Sequence, residues 1–276
     1  VHKRSPFCFI HIEKAGGSTI HNWFKYYLPT YVSLHPWYYW SNEIGNHLTV
    51  KELGILSKLH PNIAGFGGHT TRHYLDYHKK LNSNINYITF LRDPIARYLS
   101  NYQYQREVMG IEWTLDEYLN ETKFNNFMTV RIAGNQDVDK AIDEIENRFA
   151  FVGLVEKFDE SVLLICQILG LKSLKPYYER INEGDKESKI IFEDLPENVK
   201  TRIVKNNELD IKLYDRVKTN IFPRQSIKFA GDLDVEVEKL KAELKVFKYN
   251  KLRRNLIRFF KGYNHYITEP IAHTFK

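Results

Sequence analysis

Six consecutive residues, Lys14-Ala15-Gly16-Gly17-Ser18-Thr19, carry the first chemistry in this chain. The lysine supplies a positive charge, and two adjacent glycines let the backbone close around an anion with no Cβ in the way. The helix that follows offers its first N–H groups and the positive end of its dipole. Together these make a cradle for phosphate or sulfate. His69 directly follows Gly67-Gly68 and is a candidate base, with His73 and His78 competing on the same stretch. Arg92 and Ser100 could hold a second phosphate. Each feature has a duller reading: a glycine-rich turn, a structural or surface histidine, a salt bridge and a helix-face hydroxyl. A nucleotide kinase is a further reading, but its motif GxxxxGK[ST] puts lysine directly before Ser or Thr, where this chain has Gly17 before Ser18.

Particular elements must position these residues. Phe7 to Ile12 is a short apolar run of strand character, and Ile20 to Tyr27 has helical spacing, so the glycine turn joins strand to helix. Asn62 to Phe66 predicts a second strand, leaving Gly67, Gly68 and His69 at the carboxyl end of a sheet, where open α/β folds bind ligands. Ile85 to Leu91 is the clearest buried strand. Arg92-Asp93-Pro94 ends it, with Asp93 as cap and Pro94 in the first turn of a helix running to Tyr104. Phe149 to Val155 predicts another strand. Helices are expected at Val50–Leu59, from Thr114 with Glu117 in capping-box position, and at Lys123–Ala133, Asp137–Asn147, Lys157–Leu169 and Glu197–Val217. Thr30 to Asn46, rich in aromatics around Pro36, reads as an irregular loop, and Leu174 to Lys189 as a polar one. Asp232 to Gly262 reads as one amphipathic helix with a basic second half. The expectation is an α/β domain over 1–231, a P-loop-like parallel sheet flanked by helices, with a helical C-terminal extension over 232–276.

At 276 residues the chain can bury a substantial core. The net charge of +6 suits an anionic ligand or acceptor without being extreme enough to imply nucleic acid. Cys8 and Cys166, in apolar surroundings, are expected to be inert thiols, and two cysteines make neither a disulfide framework nor a metal cluster. Val1 to Ser5 hold no signal-like apolar region, and no apolar run approaches membrane-spanning length. Whether a targeting or anchoring segment has been removed stays open.

Three segments in order, FIHIEKAGGST, GGH and INYITFLRDPIARYLSNY, resemble the sulfotransferases that use 3′-phosphoadenosine-5′-phosphosulfate (PAPS), particularly the carbohydrate branch of family 2 and heparan-sulfate 6-O type. FVGLVEKFDESVLLICQILGL and NNELDIKLYDRV extend the resemblance, which spans Phe7 to Phe222 and leaves the basic C-terminal helix outside. It implies that Lys14, Ala15, Gly16, Gly17, Ser18 and Thr19 form the 5′-phosphosulfate loop, that Arg92 and Ser100 bind the 3′-phosphate, and that His69 is the catalytic base. The family often has Pro-Lys-Thr-Gly-Gly where this chain has Glu13-Lys14-Ala15-Gly16-Gly17; the lysine and glycines persist. Arg131 sits one place off the spacing of the family's acceptor-site arginine and is not assigned to that site.

The reaction so implied moves a sulfuryl group in line to a hydroxyl, releasing adenosine 3′,5′-bisphosphate without a metal. Lys14 and the loop N–H groups would stabilise the leaving phosphate oxygen, and His69 would accept the hydroxyl proton. The resemblance favours a saccharide acceptor, which the positive charge would suit were it anionic. The basic C-terminal helix is either a solvated face or a contact for an anionic polymer or membrane surface. Two alternatives belong to other classes: a P-loop-type nucleotide kinase, and a non-catalytic module binding anionic glycans. A bacterial enzyme of this kind would be cytoplasmic and a trimmed eukaryotic one would face the Golgi lumen.

Overall fold

The computed structural model describes residues 5–34, 47–60, 62–81, 84–180 and 190–274. The aromatic segment 35–46 and the polar turn 182–185 lie outside them. Five strands, β1 (Phe7–Ile10), β2 (Tyr31–Ser33), β3 (Gly65–Gly68), β4 (Asn86–Leu91) and β5 (Phe149–Leu154), form one all-parallel sheet in the order β2-β3-β1-β4-β5. Successive residues of β1 enter different cores. Phe7 and Phe9 pack into one cluster, Cys8 and Ile10 into another on the opposite face. Helices cover both faces, so the strand reads as an unbroken apolar run rather than an alternating one.

The helices are α1 (Gly17–Tyr27), α2 (Val50–Leu59), α3 (His78–Leu81), α4 (Pro94–Glu107), α5 (Leu115–Leu119), α6 (Phe127–Ala133) and α7 (Val138–Arg148). They continue with α8 (Phe158–Leu169), α9 (Glu197–Asn206), α10 (Glu208–Arg216), α11 (Phe222–Ser226), α12 (Leu233–Leu244), α13 (Lys251–Tyr263) and α14 (Glu269–His273). Local signals set several ends. Asp93 accepts from the Ala96 N–H at the start of α4, and Thr114 and Glu117 form the expected capping box on α5. Gly170 closes α8 in the left-handed conformation.

Four expectations are corrected. β2 lies inside the stretch read as an irregular loop. β3 begins and ends later than Asn62–Phe66, and its glycines are part of the strand. A Cβ on Gly67 would stand 2.7 Å from the Phe9 carbonyl oxygen, and one on Gly68 2.8 Å from that of Leu34, so the close approach of neighbouring strands requires glycine there. The helix expected over Lys123–Ala133 is broken at Asn126, which takes φ 47° and whose side chain accepts from the Leu209 N–H. Asp232–Gly262 is two helices, not one: the chain leaves α12 at Lys245, and the Tyr249 N–H reaches Glu179 before α13 begins. α12 packs Val237 and Leu240 against Leu163 of α8, and Arg253 of α13 lies over the Tyr26 ring at 4.8 Å.

The sheet order places the reversal of connection beside β1, with β3 on one side and β4 on the other. In open α/β folds the crevice outside the carboxyl ends at such a reversal is the ligand site. The turn after β1, His69 after β3 and Arg92 after β4 all lie at that edge.

Candidate active site

β1 delivers the chain to His11 and Ile12, and the turn Glu13–Gly16 reverses it into α1. Lys14 takes φ 66°, unusual for a residue with a Cβ, and Gly16 takes φ 75° as the helix N-cap. Gly16, as N-cap, has no side chain to cap α1. Gly17 has no room for more than hydrogen: a Cβ there would stand 1.8 Å from His11 Nε2. The missing Cβ of Gly17 is what lets the His11 ring pack against the start of α1, and a lysine in a turn that leads into a helix N-terminus suits an anionic oxygen cluster.

Arg92 is joined to this loop from the neighbouring strand, its Nη1 donating to the Lys14 carbonyl oxygen at 3.1 Å. The Lys14 ammonium lies 4.5 Å above the centre of the Tyr104 ring on α4. Burial and the Arg92 charge push its pKa below the usual lysine value, and Glu107 partly offsets them. Ser100 is half-buried on α4, two turns beyond the strand end that carries Arg92. A cavity of about 700 Å³ opens at the far end of α4, lined by Arg106, Glu107 and Trp113 among others.

His69 is held at both its backbone and its ring. Its carbonyl oxygen accepts from Arg72 Nη1 and from Arg131 Nη1, each at 2.7 Å. Its Nδ1 lies 3.1 Å from Glu13 Oε1, at ion-pair distance but off the line of a hydrogen bond. The same carboxylate accepts from Arg131 Nη2 at 2.6 and 2.8 Å. Burial alone would raise the Glu13 pKa, yet Arg131 and then His69 outweigh it and hold the carboxyl well below the usual range. Glu13 is therefore a fixed anion, and it leaves Nε2 as the nitrogen of His69 turned away from it. The His69 ring also stacks on His11, with centroids 3.9 Å apart and planes 27° apart.

Lys14, Arg92 and His69 are thus brought to one edge of the sheet, with Ser100 further along α4. The two competing histidines are elsewhere: His73 is buried against Glu144, with Nε2 3.0 Å from Oε2, and His78 is exposed on α3. Glu13, Arg72 and His11 also stand at this edge though sequence reasoning gave them no role there, and Arg131, weighed from the sequence and left unassigned, joins them through Glu13. One local signal points to the first of them, an acid where the resemblance has proline.

The five-stranded parallel sheet, with the glycine turn after its central strand leading into a helix, places the chain in the P-loop-like α/β class. Within that class the assignment is narrower. The sulfotransferase family model matches residues 1–215, and the chain belongs to that family. Comparison with curated proteins gives no match. Family membership brings sulfuryl transfer from a sulfate donor to a hydroxyl acceptor.

Proposed function

We propose that the chain transfers the sulfuryl group of PAPS to a hydroxyl of a carbohydrate acceptor, with His69 as general base. The observation that carries this reading is the meeting of His69, oriented by an anionic Glu13, with the loop that begins at Lys14. The donor supplies the sulfuryl group and takes the electrons of the broken S–O bond onto its 5′-phosphate. Lys14 and the N–H groups of Gly16 to Thr19 hold the phosphate oxygen that gains charge. Arg92 and Ser100 hold the 3′-phosphate. As the acceptor oxygen bonds to sulfur, its proton passes to Nε2 of His69, and Glu13 beside Nδ1 stabilises the imidazolium that results.

A saccharide acceptor is supported by the resemblance to the carbohydrate branch and by the basic character of the chain. Within the extension over 232–276 the positive charge gathers on α13, and that helix, with Lys251, Arg254 and Arg258 exposed, is the surface for an anionic acceptor chain.

Transfer of labelled sulfate from PAPS to a panel of glycans tests the reading: transfer to at least one neutral or anionic saccharide is expected, and transfer confined to phenols or steroids defeats the carbohydrate assignment. Adenosine 3′,5′-bisphosphate should raise the unfolding temperature more than ATP with magnesium does. The reverse order would favour a kinase.

A further inference from the structure

A second histidine stands behind the first, and the inference it carries rests on reading His69 as the base. His11 is 8% exposed at the end of β1. Its Nδ1 lies 3.1 Å from His21 Nε2 on α1, and His21 Nδ1 lies 2.8 Å from the Tyr31 hydroxyl at the start of β2. The Tyr31 phenol is buried, and its hydrogen-bond partner among the described residues is His21 Nδ1. A buried phenol must give its hydrogen to an acceptor, so Tyr31 donates and His21 Nδ1 accepts. The His21 proton then sits on Nε2 and is donated to His11 Nδ1. That leaves the His11 proton on Nε2. Burial, and the nearby charges of His69, His21, Arg131 and Lys14, push the His11 pKa well below its ordinary value, so the ring stays neutral.

The position of that N–H is set by two contacts. The Nε2 end of the ring packs against Gly17, in the space a Cβ would take, at 1.8 Å from that position, and the ring face lies on His69. The donor is therefore between the N-terminus of α1 and the base. In-line transfer puts the migrating group between the leaving phosphate, held by the loop, and the incoming hydroxyl, held by the base. We propose that His11 Nε2–H donates a hydrogen bond to a non-bridging oxygen of the migrating sulfuryl group, and that Tyr31, acting through His21, is the positioning residue that selects this tautomer of His11. His11 gives up no proton in the step. Its bond strengthens as the S–O bond breaks.

Nitrogen-15 NMR of the ligand-free protein with labelled histidine should find His11 protonated on Nε2, and Tyr31→Phe should mix the two tautomers. His11→Ala should lower turnover roughly 100- to 1,000-fold, the effect of removing one preorganised donor. Affinity for adenosine 3′,5′-bisphosphate, which lacks the sulfuryl group, should change less than about threefold, because the contact is made only to the migrating group. His11→Gln, which restores an N–H donor, should recover part of the turnover, and Tyr31→Phe should lose roughly tenfold. Protonation of wild-type His11 on Nδ1, unchanged turnover in His11→Ala, or equal losses of turnover and nucleotide affinity would overturn the proposal. The NMR result and Tyr31→Phe decide it should His11→Ala fail to fold. His69→Ala is measured alongside. If His69→Ala is unimpaired, the reading beneath has failed; if it is impaired while His11→Ala is intact, this inference alone has.

Discussion

His69 and His73, four residues apart, each sit beside a glutamate, but in opposite surroundings. The His73 side chain is wholly buried beside Tyr87 and Phe149, its Nε2 on Glu144 and its Nδ1 with no hydrogen-bond partner among the described residues. Burial outweighs the glutamate and lowers its pKa to about 4. The His69 side chain is 29% exposed, and its glutamate is itself clamped by Arg131. A His–Glu pair is therefore no mark of catalysis. What separates the two is burial: the His69 side chain is partly open to solvent, whereas that of His73 is closed in among aromatic rings.

Substitutions can break that contrast. His69→Ala should cost roughly two to four orders of magnitude in turnover, as loss of a general base does, while nucleotide affinity and the unfolding midpoint stay near wild type. An equal loss from His73→Phe would erase the distinction. Glu13→Gln removes the anion that orients His69 and leaves Arg131 facing a neutral amide. About a ten- to hundredfold fall in turnover is expected, the usual scale for a group acting through a catalytic side chain, and kinetics against both substrates would measure it. His73→Phe should leave turnover within about threefold, as a substitution remote from the chemistry.

The effect of His73→Phe belongs to stability. Folded His73 resists protonation down to about pH 4, whereas the unfolded chain takes up that proton near the ordinary value of 6.5. Between those limits the unfolded state binds more protons, so the wild type loses stability as pH falls from about 6.5 to 4. Urea unfolding across that window should show a flatter dependence in His73→Phe. An unchanged slope would mean that the folded protein accommodates the charge, and that the two pairs differ less than their burial implies.

Much of the frame was readable before any coordinates. The apolar run of β1, the glycine turn, the Arg92-Asp93-Pro94 strand end and the capping box at Thr114 are local. Each depends on the φ freedom of glycine, the fixed φ of proline or a side-chain bond three residues away. The failures are of another kind. β2 is three residues long and has no sequence period to betray it; it exists because β3 offers it a ladder. The helix expected over Asp232–Gly262 ends at Leu244, and between its two halves the Tyr249 N–H bonds to Glu179, far away in the chain. The site divides along the same line. Lys14, His69 and Arg92 stand beside the strand ends that their neighbours announce. The clamp of Arg131 on Glu13 and the relay from Tyr31 to His11 join side chains that become neighbours only after three parallel strands align and α6 closes over them. Short-range sterics write the first group into the order of residues; the second depends on distances across the folded chain, which no spacing along it encodes.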